Sequence, residues 1–161
     1  MAHILVVCTA NICRSPVAEA VLRDRLHQAG LTDWTVSSAG TWAVMARGAS
    51  RFSAELMAEQ GFDLSGHRAE MVDHDRLETA DLVLCMETGH AEALKVEFPQ
   101  YAPKIFLLSQ MVGHHYSISD PYGGPIEAYR HMVAEVTRLI EKGLPRIIEL
   151  AAGKNLDDYK K

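Results

Sequence analysis

A thiol and a guanidinium lie six positions apart in the stretch Cys8 to Pro16, which reads Cys-Thr-Ala-Asn-Ile-Cys-Arg-Ser-Pro. Wrapped around a phosphate-sized anion, so short a loop brings Cys8 and Arg14 to the same ligand. A cysteine attacks as its thiolate, and a helix N-terminus with converging amides and a nearby arginine favours that form. A guanidinium holds two equatorial oxygens of a phosphoryl group in a bidentate fork, and the grip persists as the group flattens in the transition state. Lysine, a point charge, does not reproduce it. Ser15 can donate its hydroxyl to the sulfur, or cap a helix that has Pro16 at its first position; the two roles are compatible. Asn11 tolerates the left-handed backbone angles that a tightly curled loop requires. Together these residues point to phosphoryl transfer through sulfur, against the plainer alternative that Cys8 is a buried residue at a strand end.

Transfer from an aryl oxygen also needs a proton donor, because a phenolate is a poor leaving group. Ser109 to Pro125 has no helical or strand period and contains Asp-Pro-Tyr-Gly-Gly-Pro from Asp120 to Pro125. Asp120 is the candidate to protonate the leaving oxygen and then to activate water against the phosphocysteine. Pro121 biases the backbone of Asp120 away from helix, and the glycines allow a sharp turn that presents the carboxylate to a cleft. Alone, such a turn is usually only a surface feature; paired with the first loop it reads as catalytic. Tyr122 and Trp42 are candidate walls of a slot for a phosphorylated aromatic ring, too deep for phosphoserine, although Trp42 also fits partial burial under a loop. Arg47 and Arg51 can meet an acidic phosphopeptide, but a solvated surface is the simpler reading. His114 and His115 read as solvent-facing rather than as metal ligands.

These residues need elements to position them. His3 to Val7 is apolar on both faces, as in a covered parallel sheet. A helix is expected from Pro16 to about Gln28, with Val17, Val21, Leu22 and Leu26 at helical spacing and Gly30 as its stop. Further strands are expected at Trp34 to Ser38, Leu82 to Met86 and Ile105 to Leu108. Helical pieces are expected around Phe52 to Gly61, Met71 to Thr79 and Gly89 to Phe98. A long helix begins at Ile126, with Tyr129, Met132, Val133, Val136, Leu139 and Ile140 tracing its inner face; Gly143 and Pro145 are expected to end or kink it, with Ile147 and Ile148 resuming it. Strands alternating with helices predict one α/β domain over residues 1–154: a four-stranded parallel sheet, helices on both faces, flavodoxin-like, with the phosphate-binding loop after strand one. Residues 155–161 read as a polar, mobile tail.

The chain has 161 residues, 48% hydrophobic, with a net charge of -5, which suits one soluble domain and gives no reason to expect nucleic acid as a partner. No apolar run is long enough for a bilayer, and no signal-peptide pattern is present, so the expectation is a cytoplasmic protein without membrane insertion. Three cysteines without a secretory context argue against a disulfide framework.

The Cys8 to Pro16 motif resembles the signature of low-molecular-weight protein tyrosine phosphatases, and Val7 is unlike the histidine that precedes the nucleophile in the larger tyrosine phosphatases. Ser38-Ala39-Gly40-Thr41, Gly66-His67-Arg68, Asp81 to Met86 and Asp120 to Gly123 resemble family segments in the same order. The resemblance implies Cys8 as nucleophile, Arg14 as phosphoryl ligand and Asp120 as acid then base. It implies a substrate site formed by Thr9, Ala10, Asn11, Ile12, Cys13, Ser15, Trp42 and Tyr122, with Ser15 and His67 supporting the loop, the latter through Asn11. No cofactor and no metal are implied. The expected partners are a phosphotyrosine-containing protein, such as a tyrosine kinase, and small aryl phosphates in vitro. Ala10 stands where the family usually has glycine; a positive φ there would cost about 1–2 kcal/mol. Ile12 occupies a position that looks like threonine in related arginine phosphatases, which favours phosphotyrosine. Cys13 either closes a disulfide with Cys8 under peroxide or is a small buried residue. The rival readings are a thiol-dependent arsenate reductase, for which Cys85 has no cysteine partner nearby, and a non-catalytic phosphate- or phosphopeptide-binding module.

Overall fold

Strands without a polar face need cover on both sides, and the chain supplies it by alternating them with helices. The computed structural model describes residues 1–153. In it β1 (His3–Cys8), β2 (Thr35–Gly40), β3 (Leu82–Cys85) and β4 (Ile105–Leu107) form one parallel sheet in the order β2-β1-β3-β4. Side chains alternate between the two faces, as the period of a strand requires. Leu5, Val7, Val83 and Cys85 share one buried cluster with Leu77, Ala91 and Leu94, from α3 (His74–Thr79) and α4 (Thr88–Glu97). Ile4, Val6, Cys8, Leu82 and Leu84 share the other with Val17, Val21, Val136 and Ile140, from α1 (Arg14–Gln28) and α5 (Ile126–Ala151). The remaining helix, α2 (Arg51–Glu59), packs on α5.

β1 pairs with β2 on one side and β3 on the other. The connections leaving β1 and β3 therefore diverge, and a crevice opens beyond the strands' C-terminal ends, where this architecture binds ligands. The loop from Cys8 to Arg14 sits at that crevice.

Most boundaries fall within a residue of the sequence expectation; the main differences are these. α1 opens at Arg14, two residues early; Pro16 is then its third residue, whose missing N–H would have had no intrahelical acceptor. β2 runs to Gly40, and Met71 is not helical but bridges to Gly40, so α3 starts only where the Asp73 carboxylate accepts from the Arg76 N–H. Gly143 and Pro145 do not end the last helix, which continues to Ala151. Gly143 lies against the 3-10 turn Leu108–Val112, where a Cβ would come 2.6 Å from that of Met111. Beyond it Ile147 and Ala151 prolong the buried stripe, and this burial offsets the hydrogen bond that Pro145 removes. The proposed tail, 155–161, lies outside the described residues. Among the described residues no helix is long and apolar enough to cross a membrane.

Candidate active site

The nucleophile loop is held by its carbonyls. The Cys8 carbonyl accepts from the Thr41 N–H at 3.0 Å, that of Thr9 from Trp42 at 2.8 Å, and that of Ile12 from Ser50 at 2.8 Å. The Asn11 carbonyl accepts from His67 Nε2 at 2.5 Å, and the Cys13 carbonyl from the Ser53 hydroxyl at 3.0 Å. With the oxygens tied outward, the loop's amides are left for the concavity, the arrangement of an anion nest. The N-terminus of α1 adds the positive end of its dipole. Gly40 permits this closeness: a Cβ there would lie 2.4 Å from the Thr9 carbonyl oxygen.

Asn11, fully buried, carries the positive φ of the loop at 58°, whereas Ala10 has none, so the alanine brings no strain. Its Oδ1 accepts from the Glu70 N–H at 3.0 Å, which fixes the amide orientation. Nδ2 then donates to Ser15 Oγ at 2.8 Å and Ser38 Oγ at 2.9 Å. Ser15 lies 3.0 Å from Cys8 Sγ. Since Ser15 Oγ already accepts from Asn11, its own proton is available to the sulfur. Among the described residues no side chain caps the N-terminus of α1, so of the two roles read for Ser15 the structure keeps the one toward Cys8.

Arg14 is 1% exposed, and a buried guanidinium needs partners. Nη1 donates to the Ile118 carbonyl at 2.7 Å and lies 3.2 Å from Glu87 Oε1. Nη2 is 3.4 Å from Thr9 Oγ1 and 3.5 Å from Asp120 Oδ2. Nε is buried without a partner among the described residues. Asp120 Oδ1 accepts from the Tyr122 N–H at 3.1 Å, an Asx turn that aims the carboxylate toward Arg14. The sequence reading missed Glu87 and His90. His90 is buried, 2.8 Å from Thr9 Oγ1 and 3.0 Å from Glu87 Oε2. The available signal was position: polar residues directly beyond β3, the neighbour of β1, fall in the same crevice.

A cleft of about 230 Å³ opens over these groups. Its floor is Cys8, Thr9, Ala10, Ile12, Cys13 and Arg14, and its walls are Trp42, Val44, Arg47, Tyr122 and Asp120. Trp42 is 78% exposed, so it is not covered by a loop, and Tyr122 is 57% exposed. The Arg47 guanidinium lies 5.7 Å from the Tyr122 ring centroid, making it a cation at the cleft mouth. Arg51 instead pairs with Glu55. His114 and His115 are exposed and do not line this cleft. Cys13 Sγ contacts the Tyr129 hydroxyl at 3.6 Å, and burial pushes the Cys13 thiol up. Cys85 belongs to the cluster on the opposite face of the sheet from Cys8, and burial pushes its thiol up to about 12. The assembly presents a sulfur, a hydroxyl donor to it, a buried arginine and a carboxylate around one anion-sized concavity.

Residues 3–155 match the family model described as low molecular weight phosphotyrosine protein phosphatase. The chain is 37% identical to a protein-arginine-phosphatase of Geobacillus stearothermophilus over 141 residues, 87% of this chain and 92% of that protein. A low molecular weight protein tyrosine phosphatase from T. tengcongensis superposes with a TM-score of 0.85 at 39% identity, covering 91% of this chain and 99% of that one. Vibrio vulnificus Wzb, solved in complex with benzylphosphonate, superposes with a TM-score of 0.79 at 33% identity, covering 87% and 94%.

Proposed function

Because the chain belongs to the low molecular weight phosphotyrosine protein phosphatase family, we propose that it hydrolyses phosphotyrosine on proteins through a phosphocysteine at Cys8. The observation that carries this reading is the convergence of Cys8 Sγ, Arg14 and Asp120 on one cleft. In the first step the Cys8 thiolate attacks phosphorus, the bond from phosphorus to the tyrosyl oxygen breaks, and Asp120 gives its proton to that oxygen. In the second step Asp120, now ionised, takes a proton from water as the water oxygen attacks phosphorus. The sulfur–phosphorus bond breaks, releasing inorganic phosphate and regenerating the thiolate, which the Ser15 hydroxyl stabilises. Arg14 Nε and the loop amides hold the equatorial oxygens through both steps.

The aromatic rings of Trp42 and Tyr122 suit a phenyl ring, and the relative that binds benzylphosphonate supports this choice. Hydrolysis of phosphoarginine is the second reading, favoured by the similarity to an arginine phosphatase. Arg47 weighs against it, because a guanidinium at the mouth repels the guanidinium of such a substrate. The substrate protein is thus proposed to present phosphotyrosine to this cleft. The arsenate reductase reading loses support from Cys85, which is buried on the wrong face of the sheet for a relay with Cys8.

The test compares kcat/KM for phosphotyrosyl and phosphoarginyl peptides of one sequence. Wild type should prefer phosphotyrosine, Arg47→Glu should narrow the preference, and Cys8→Ser should lose turnover by several orders of magnitude while still binding vanadate. A preference for phosphoarginine would select the second reading, and near-normal turnover by Cys8→Ser would remove the mechanism.

A further inference from the structure

His90 lies outside the motif that carries the proposed chemistry, yet it is 6% exposed and touches two groups that hold Arg14. Its ring has a defined proton. Nδ1 accepts from the Glu87 backbone N–H at 3.2 Å, and a backbone amide can only donate. The neutral ring therefore carries its proton on Nε2. That N–H is shared between Thr9 Oγ1 at 2.8 Å and Glu87 Oε2 at 3.0 Å. The other Glu87 oxygen pairs with Arg14 Nη1 at 3.2 Å, and Thr9 Oγ1 lies 3.4 Å from Arg14 Nη2. One imidazole N–H thus fixes one partner for each terminal nitrogen of the guanidinium.

A second consequence concerns Thr9. Its oxygen faces N–H groups from both His90 and Arg14, and a protonated Nε2 cannot accept a hydrogen bond. The Thr9 hydroxyl proton is consequently turned away from the histidine, and Thr9 lines the cleft. Resting on the phosphatase reading above, we propose that His90 is a positioning residue that orients Arg14 through Thr9 and Glu87, and that leaves the Thr9 hydroxyl proton as an extra donor to the bound phosphoryl group. The arrangement joins two segments distant in sequence, the end of β1 and the start of α4, at the point where the strand order reverses.

The experiment uses His90→Phe, which keeps a ring but loses both nitrogens, and His90→Gln, whose side-chain amide restores an N–H near Nε2. Turnover of nitrophenyl phosphate, vanadate affinity and Tm are measured together. His90→Phe should lose about 10- to 100-fold in kcat/KM and weaken vanadate comparably, His90→Gln should recover most of both, and Tm should not follow the same order. Thr9→Val should weaken vanadate, Thr9→Ser should not, and Thr9→Val added to His90→Phe should cost less than the two separate losses combined. Equal losses in His90→Phe and His90→Gln, or full independence of the two sites, would overturn the proposal. If His90→Phe does not fold, Thr9→Val against Thr9→Ser in the wild type and in His90→Gln decides it; equal vanadate affinity in that pair overturns it. A wild-type chain that binds vanadate without turning over aryl phosphate would sink the phosphatase reading alone, because the vanadate measurements still test His90.

Discussion

Arg14 Nη1 donates to the Ile118 carbonyl oxygen at 2.7 Å, so the residue assigned to the phosphoryl group also anchors the segment that carries Asp120. The Ile118 N–H is fixed in turn by the Met86 carbonyl at 2.8 Å, just beyond β3. Three crevice segments, after β1, after β3 and before α5, meet at one guanidinium. Removing its planar fork disturbs ligand binding and acid placement together.

Arg14→Lys is therefore expected to lower kcat/KM for aryl phosphates by about 10²–10³-fold and to weaken vanadate binding, since a point charge cannot serve Ile118, Glu87 and an anion in one plane. Steady-state kinetics and vanadate titration check this. A small effect on both would mean that the loop amides alone hold the phosphoryl group.

Asp120→Asn should slow phosphorylation of the enzyme more with phenyl phosphate than with nitrophenyl phosphate. Phenol, with a pKa of roughly 10, leaves badly as its anion, whereas nitrophenolate needs little help. The variant should also lose the high-pH limb of kcat/KM, because that limb reports loss of the donor's proton. Burst kinetics isolate this step from dephosphorylation. Equal slowing of both substrates with the limb intact would reduce Asp120 to a shaper of its loop.

Gly40→Ala should damage activity more than stability. The added methyl would sit 2.4 Å from the Thr9 carbonyl oxygen and 3.0 Å from the Asn11 nitrogen, so the nucleophile loop must move. Overpacking of this kind costs about 1–3 kcal/mol. Turnover and urea unfolding on the same protein test it, and wild-type kcat with reduced stability would contradict it.

Acid should weaken the fold through two histidines. Burial holds His90 below its ordinary value of 6.5 against the pull of Glu87, and holds His3 below the same value against Asp81 and Glu19. Both fold as neutral rings, so as the pH falls the unfolded chain takes up their protons first. Their contribution is complete above about pH 6.5 and is lost as pH drops toward the lowered folded values. The urea midpoint should fall further between pH 7.5 and pH 5.5 in wild type than in His90→Gln. Identical falls would show that His90 titrates alike in both states.

By itself the sequence determined the parts whose physics is local. Apolar runs without polar alternation specified three strands of a covered sheet, the stripe from Tyr129 to Ile140 specified the face of α5, and the Cys8 to Pro16 spacing placed a thiol and a guanidinium within reach of one anion. Asn11 was legible as the left-handed residue because few side chains tolerate that conformation. Tertiary structure alone decided what depends on contacts between distant segments. Glu87 and His90 join the site only because β3 pairs beside β1, and Arg47 enters the cleft mouth only because its loop meets Tyr122 across it. Pro145 reads locally as a break, yet α5 continues because burial of Ile147 and Ala151 outweighs one missing hydrogen bond. The sequence allowed Ser15 both a capping role and one toward the sulfur, and the second is set by Asn11, whose amide is oriented by the backbone of Glu70, fifty-nine residues away. Local propensity names the residues able to do chemistry; which of them share a proton is fixed by the packing that sets their distances.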